Sequence, residues 1–342
     1  MGLVASLGLA AVLVTAVPRA APAAPPAASD SAAAERLQRS RAAKTGRLAL
    51  PLPGTPDTTQ PLTRLAAAGL ALGAPVLIRI FKAESELEIW IKKRNTYVRF
   101  ATYPVCYWSG TLGPKLREGD RQTPEGFYTI TGRELHHGDR WRRSLNVGYP
   151  NLFDRANGRS GSNILVHGGC SSVGCFAMTD AVNAEIYDLV SAALRNGAAS
   201  VPLHVFPFRM TEANLAATPA GRWTGFWSDL KLGYDAFERT RLPPNISVCG
   251  KQYRVRDYSP FGPNADRILM CEEDRNGIPD HLDPDAATEQ QNASQQAAPP
   301  PPPPCAIERA SCRKWLALHE RRIASRTLAT QTTGTGKRPR IR

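Results

Sequence analysis

One histidine and two cysteines fall within nine residues of the stretch HGGCSSVGCFAMTD, residues 167–180. The 342-residue chain holds only six histidines and seven cysteines, so their crowding here needs a chemical explanation. Three explanations fit: a thiol nucleophile with its base, a metal site, or a disulfide beside a tight turn. A thiol mechanism requires a sulfur, an imidazole that accepts its proton, and backbone N–H groups that receive an oxyanion.

Cys175 is the predicted nucleophile of this stretch. It comes just before a predicted helix, and a helix N-terminus favours the thiolate form of cysteine. Gly174 permits a sharp turn that exposes backbone N–H groups near the sulfur, and we predict an oxyanion-binding turn there. His167 follows a predicted buried strand and is the predicted general base. His204, on a later predicted strand, is the alternative base.

The metal explanation is the weaker one. The spacing H-x2-C-x4-C from His167 to Cys175 lacks the paired short knuckles of a zinc site. Cys170 is predicted to be structural, by packing, by lying close to Cys175, or by pairing with Cys106. An acidic run, Glu272 to Asp285, resembles a calcium-binding repeat. Because the run occurs only once, we predict an acidic turn there and not a calcium site. The sequence therefore predicts neither a metal nor a cofactor.

The elements that must position these residues are mostly strands. Residues with apolar runs or period-two alternation are expected to form strands at the following places: Val76–Phe81, Leu87–Ile91, Tyr97–Phe100, Val105–Trp108, Phe127–Ile130, Asn163–Val166 and Leu203–Phe206. Apolar residues at helical spacing predict one main helix, Met178–Arg195. The predicted fold class is therefore mainly β with one main helix, an α+β domain of about 135 residues.

Composition divides the chain into six predicted regions. They are a signal peptide (1–28), a disordered Ala/Pro-rich linker (29–74), a catalytic domain (75–208), a C-terminal extension with a pair of short helices (209–258), an irregular Pro-rich spacer (259–304) and a basic tail (305–342). The first region contains a fifteen-residue apolar run, Leu3–Val17, which is short for a bilayer span of about 20 residues and typical of a secretory signal. We therefore expect export, with no transmembrane anchor in the mature chain.

Charge and cysteine count add two expectations. The formal net charge is +13, of which the tail carries ten Lys/Arg and two Glu. This tail is expected to be solvated or to contact an anionic surface such as cell wall, and no nucleic-acid partner is predicted. In an oxidising compartment spare thiols pair, so seven cysteines leave at least one unpaired.

Three ordered motifs resemble the L,D-transpeptidase (YkuD-type) catalytic domain, with the closest likeness to its YafK-like branch. They are GDRQTPEGFY (residues 119–128), His167-Gly168, and SVGCFAM (residues 172–178). The resemblance implies a β-sandwich catalytic domain, with a small helical C-terminal extension that residues 226–238 resemble. It also implies that Cys175 is the nucleophile, that His167 is the base with its ring oriented by a backbone carbonyl, and that Gly174 and Cys175 form the oxyanion turn.

The resemblance further implies an exported periplasmic enzyme that acts on peptidoglycan stem peptides through a thioester. Two positions depart from the family pattern: Val173 stands where most members have histidine, and Ala177 where most have arginine. These departures keep open a hydrolase of the same fold, which would cut a diaminopimelate-linked bond such as a lipoprotein tether. A non-catalytic wall-binding module is the alternative from another class. The predicted substrate contacts are Ser172, Gly168, Tyr149 and Arg143.

Overall fold

The structure is a computed structural model that describes residues 30–136, 143–257 and 268–271, with side chains from residue 33 onward. The predicted signal peptide, the calcium-like run, the proline run and the basic tail lie outside these residues. None of the described helices has both the length and the apolar character needed to cross a bilayer.

Strands are the more numerous elements in the described part of the chain, whereas the helices contain slightly more residues. The helices are α1 (Asp30–Lys44), α2 (Pro61–Ala67), α3 (Leu152–Ala156), α4 (Asp180–Arg195), α5 (Glu212–Ala217) and α6 (Thr224–Thr240). The strands are β1 (Val76–Phe81), β2 (Glu86–Lys93), β3 (Thr96–Pro104), β4 (Tyr107–Trp108), β5 (Gly126–Ile130), β6 (Leu135–His136), β7 (Ser144–Asn146), β8 (Leu165–His167), β9 (Phe176–Ala177), β10 (Val201–Phe206), β11 (Asn245–Cys249), β12 (Gln252–Arg256) and β13 (Leu269–Met270).

Two five-stranded sheets form the predicted catalytic domain. The first has the order β3-β2-β1-β10-β5, and the second has the order β4-β9-β8-β7-β6. Residues of both sheets, such as Ile78 and Val166, share one buried hydrophobic cluster. β1 is buried along its whole length because Ile78 and Ile80 face this cluster while alternate residues, such as Phe81, belong to a second cluster with the C-terminal extension. The predicted α+β fold class and β-sandwich are confirmed.

The main helix lies where the apolar spacing predicts it, but two residues shorter at its N-terminus. α4 begins at Asp180 and buries Val182 and Ile186 against the main cluster. β9 lies between Cys175 and this helix, so Cys175 is not at the helix start as predicted. Because the dipole effect falls off within the first helical turn, α4 is not positioned to stabilise a Cys175 thiolate directly.

The prediction of a disordered linker over 29–74 is wrong for the described residues of that segment. α1 and α2 form there, and the guanidinium of Arg36 lies 3.9 Å from the ring centre of Trp108. Leu65 joins the main hydrophobic cluster, while Arg64 pairs with Glu185 of α4 at 2.8 Å. The Ala/Pro-rich composition misleads because only a few residues of this segment are buried, and they are far apart in sequence.

The C-terminal extension differs from the predicted pair of short helices. α6 is one continuous helix, followed by the hairpin β11–β12, and β13 completes a three-stranded sheet. A disulfide between Cys249 and Cys271 closes this unit. α6 packs closely on the first sheet at Gly233, where an added Cβ would lie 2.4 Å from the ring of Phe127. The extension thus shares a core with the catalytic domain.

Candidate active site

Cys175 lies in the loop that connects two neighbouring parallel strands, β8 and β9. Its Sγ accepts the N–H of Leu165 at 3.3 Å and lies 3.6 Å from the carbonyl oxygen of Asn163. It is the one cysteine outside a disulfide in the described part of the chain. The loop between these two inner strands of the second sheet therefore carries the thiol.

His167 is the last residue of β8 and is 5% exposed. Its Nδ1 lies 2.5 Å from the carbonyl oxygen of Gly168. This contact places the proton on Nδ1 and leaves Nε2 as the nitrogen that can accept a proton. A Cβ on Gly168 would lie 2.2 Å from Oδ1 of Asp180, so the first residue of α4 packs directly against this glycine. The ring orientation expected of the general base is present.

Burial moves the pKa values of the two groups in opposite directions. It lowers the pKa of His167 below 6.5, against smaller opposing effects of the Gly168 carbonyl and Asp180. It raises the pKa of Cys175 above 9.0, against smaller opposing effects that include the Leu165 N–H and Lys115. Both shifts favour a neutral thiol and a neutral imidazole in the resting protein. The predicted nucleophilic role of Cys175 therefore requires that its thiol proton be transferred to a base during attack.

The turn before Cys175 has the shape predicted for it, but its N–H groups are already hydrogen-bonded. Gly174 has φ +104°, a conformation that glycine adopts readily. Its N–H donates to Oγ of Ser109 at 2.6 Å, and the N–H of Cys175 donates to Oγ of Ser172 at 2.7 Å. An oxyanion would have to displace these hydroxyls to reach the N–H groups. The oxyanion role of Gly174 stays a prediction.

The predicted substrate contacts Tyr149 and Arg143 hold neighbouring segments in place. The hydroxyl of Tyr149 lies 3.2 Å from the carbonyl oxygens of Lys115 and Ser160. Arg143 donates to the carbonyl of Ala184 in α4 at 3.0 Å and pairs with Asp188 of the same helix. Contact of either residue with a substrate stays a prediction.

Two more of the predicted substrate contacts shape the loop itself. Ser172 both accepts the N–H of Cys175 and donates to the carbonyl oxygen of Cys175 at 2.9 Å. Gly168 supplies the carbonyl that orients His167. Val173, the residue after Ser172, is 72% exposed, whereas Ala177 is fully buried. A substrate contact at Ser172 or Gly168 also stays a prediction.

The alternative base, His204, lies in the other sheet. Its ring packs edge-on against Phe127 and Phe206 at centroid distances of 5.0 and 6.1 Å. Burial, helped by the charge of Arg79, lowers the pKa of His204 to about 3. The structure therefore associates His167, and not His204, with the strand pair that carries Cys175.

Cys170 forms a disulfide with Cys106, one of the pairings that the sequence allowed. The N–H of Cys170 donates to the carbonyl of Met178 at 3.1 Å, which anchors the loop between β8 and β9. A disulfide sulfur cannot serve as the thiolate ligand that the metal explanation required. Among the described residues, no three His, Cys, Asp or Glu side chains cluster in a way that could hold a metal ion.

Sequence reasoning missed two polar residues of the site. Ser109 accepts the Gly174 N–H, and the charge of Lys115 is a small effect that opposes the rise in the pKa of Cys175 caused by burial. Lys115 is held by Asp120 at 2.6 Å, and this aspartate belongs to the motif of residues 119–128. Both residues are more than fifty positions from Cys175 in the chain. The one local signal for Lys115 is its partner Asp120, which lies in that motif.

Comparison with known proteins identifies the family to which this chain belongs. Residues 75–205 match the YkuD family of L,D-transpeptidase catalytic domains. The chain is 41% identical over 202 residues to YafK of Escherichia coli strain K12, a protein provisionally named as an L,D-transpeptidase. The match covers 59% of this chain and 82% of YafK, and YafK of strain O157:H7 gives the same values. The chain belongs to the YkuD family of L,D-transpeptidases.

Two solved structures are weakly similar. The helical cell shape determining protein Pgp2 from Campylobacter jejuni is 19% identical with a TM-score of 0.32, and the match covers 53% of this chain and 65% of Pgp2, just under two thirds. Bd1075 of Bdellovibrio bacteriovorus is 18% identical with a TM-score of 0.28 over 42% of this chain and 53% of that protein.

Proposed function

We propose that this chain is an exported L,D-transpeptidase that acts on peptidoglycan stem peptides in the periplasm. Membership of the family supports the reaction class. The observation that carries the proposal is the free thiol of Cys175 beside the strand of His167, whose Nδ1 is committed to the Gly168 carbonyl. Such an arrangement can accept a thiol proton on Nε2 while the sulfur attacks a carbonyl carbon.

The reaction begins when Cys175 Sγ attacks the carbonyl at the L-centre of diaminopimelate in a tetrapeptide stem, and His167 takes the thiol proton. The tetrahedral intermediate collapses, the C–N bond to D-Ala breaks, and the leaving amine takes the proton back from His167. A thioester remains on Cys175. An amine then attacks the thioester, His167 accepts its proton, and the thiol is restored as a new amide forms.

Water in place of the amine would give a hydrolase, for example one that cuts the link between a lipoprotein and the wall. Val173 and Ala177 motivate this second candidate, because the apolar pair replaces the family's histidine and arginine beside the nucleophile. Both reactions share the thioester and differ only in the second step. The acceptor therefore distinguishes the two functions.

The test is mass spectrometry of purified muropeptides after incubation with the protein, with and without an acceptor amine. A transpeptidase releases D-Ala and incorporates the amine, whereas a hydrolase forms the same acid product whether or not amine is present. Cys175→Ala should abolish both products. His167→Gln should lower the rate by about 10²–10⁴-fold, a typical loss of general acid–base catalysis.

His204→Gln serves as the matched histidine control, because His204 lies in the other sheet. A larger rate loss in His204→Gln than in His167→Gln, with both variants folded, would contradict the assignment of the base. A protein that binds sacculi but forms no product from any stem peptide would support the wall-binding module instead.

A further inference from the structure

A cavity of about 330 Å³ lies between the loop of residues 111–122 and the start of the C-terminal extension. Its walls combine apolar and charged groups, and those that matter here are Leu112, Leu116, Arg117, Gln122, Arg222 and Trp223. Arg222 and Trp223 lie outside the three motifs at residues 119–128, 167–168 and 172–178. The extension thus adds one wall to a cavity whose other wall belongs to the catalytic domain.

The cavity adjoins the catalytic turn through the segment of Gln122 and Thr123. The carbonyl oxygen of Gln122 lies 3.8 Å from the position of a Cβ on Gly174. Thr123 donates its N–H and its hydroxyl to the carbonyl of Ser109 at 3.1 and 2.8 Å, and the hydroxyl of Ser109 accepts the Gly174 N–H. One side of this segment therefore lines the cavity and the other supports the turn that carries Cys175.

A buried polar network fixes the loop wall. Glu125 accepts hydrogen bonds from Gly113 N–H at 2.6 Å and from Trp227 Nε1 at 2.8 Å, and it pairs with Lys82 at 2.8 Å. Both members of the ion pair are fully buried. Because Trp227 belongs to α6, the network ties the extension to the loop and keeps the cavity preformed. A Cβ on Gly113 would lie 2.4 Å from Trp223 Nε1, so the indole rests directly on the loop backbone.

The charge of the cavity favours an anion. Arg117 and Arg222 are both exposed, and neither guanidinium pairs with a carboxylate within the described ranges. The acidic residue of the lining, Asp120, is already engaged by Lys115 and by the backbone N–H groups of Leu116, Arg117 and Gln122. A guanidinium presents paired donors that match the two oxygens of a carboxylate.

We propose that this cavity is a subsite that binds a free carboxylate of the stem peptide, with Arg117 and Arg222 as its charged contacts. The subsite rests on the proposed function, because it presumes a peptide whose scissile carbonyl reaches Cys175. Trp223 and Leu112 offer apolar surface to the aliphatic part of the same peptide. The extension would then determine which stem peptides react, and the catalytic domain would carry out the chemistry.

The test compares Arg222→Gln and Arg117→Gln with Arg256→Gln. Arg256 is an exposed arginine on β12 of the same extension, outside the cavity lining, and provides the matched control. Two tetrapeptide stems are used, one with free carboxylates and one with its isoglutamate and diaminopimelate side carboxylates amidated. Wild-type protein should have a KM for the acid form about 10-fold lower than its KM for the amide form, because the amide form lacks one charge-assisted hydrogen bond. Arg222→Gln and Arg117→Gln should each reduce this preference for the acid form, with little change in kcat.

Binding to Cys175→Ala, measured by calorimetry with the same two peptides, separates the two proposals because it needs no turnover. If wild-type protein forms no product while Cys175→Ala still prefers the acid peptide and loses this preference with Arg222→Gln, the subsite stands and the proposed reaction fails. If turnover occurs but neither lining variant changes the difference in KM between the acid and amide forms, the subsite is refuted. An equal change in Arg256→Gln would also refute it, by revealing a general charge effect.

Discussion

Substituting Gly233 by alanine tests whether the C-terminal extension and the catalytic domain fold as one unit. The new Cβ would lie 2.4 Å from Cζ and 2.7 Å from Cε1 of Phe127, where ordinary contacts begin at about 3.4 Å. The ring of Phe127 cannot move aside easily, because Phe206 and Tyr253 pack edge-on against it at 6.0 and 5.0 Å. The helix would therefore have to move away from β5 by roughly 1 Å.

The expected cost follows from overpacking. An extra carbon in a well-packed core typically lowers the free energy of unfolding by about 1–3 kcal/mol. Alanine has a higher helix propensity than glycine by up to about 1 kcal/mol, so the net loss in free energy of unfolding for Gly233→Ala is about 0–2 kcal/mol. Gly225 supplies the matched control, since it lies in the same helix and an added Cβ there meets no atom within 4 Å. The difference between the two variants isolates the clash, at about 1–3 kcal/mol.

Urea unfolding of both variants, followed by fluorescence and by far-UV circular dichroism, provides the measurement. Gly233→Ala should have a lower midpoint than Gly225→Ala, with one transition and an unchanged slope. Equal midpoints would refute the close packing of α6 on β5. Two separate transitions would refute the shared core, because the extension would then unfold by itself.

Three further predictions concern buried groups near the site. Lys82→Met leaves the fully buried carboxylate of Glu125 without its cation, so the free energy of unfolding in urea should fall by about 3–5 kcal/mol, and a loss below about 1 kcal/mol would contradict the ion pair. Because burial raises the pKa of Cys175, its alkylation by iodoacetamide should keep accelerating as pH rises past 9.0, whereas a plateau at neutral pH would indicate a preformed thiolate. Cys106→Ala removes a disulfide whose cysteines are 64 residues apart, so the free energy of unfolding should fall by about 4 kcal/mol in thermal and urea experiments. An unchanged stability would refute the crosslink.

Local sequence patterns predict the segment that carries His167 and Cys175 and most of the strands around it. The motifs at residues 119–128, 167–168 and 172–178 are each short and contiguous, so their local pattern sufficed to predict a thiol, an imidazole and a glycine turn. Strand and helix periodicity predicted β1, β2, β10 and α4 because each element buries one or both faces at regular spacing. These are properties of neighbouring residues, and sequence carries them directly.

The contacts between distant groups, and the effect of burial on them, follow from the folded chain and not from local patterns. His167 follows one predicted strand and His204 lies in another, and only strand pairing tells them apart, because β8 adjoins β9 while β10 lies in the other sheet. The hydroxyl of Ser109 and the charge of Lys115 reach the Cys175 turn across long chain separations that no local pattern encodes. The protonation state of the thiol was also inaccessible to sequence, because the helix start suggested a thiolate whereas desolvation in the folded chain favours the neutral form.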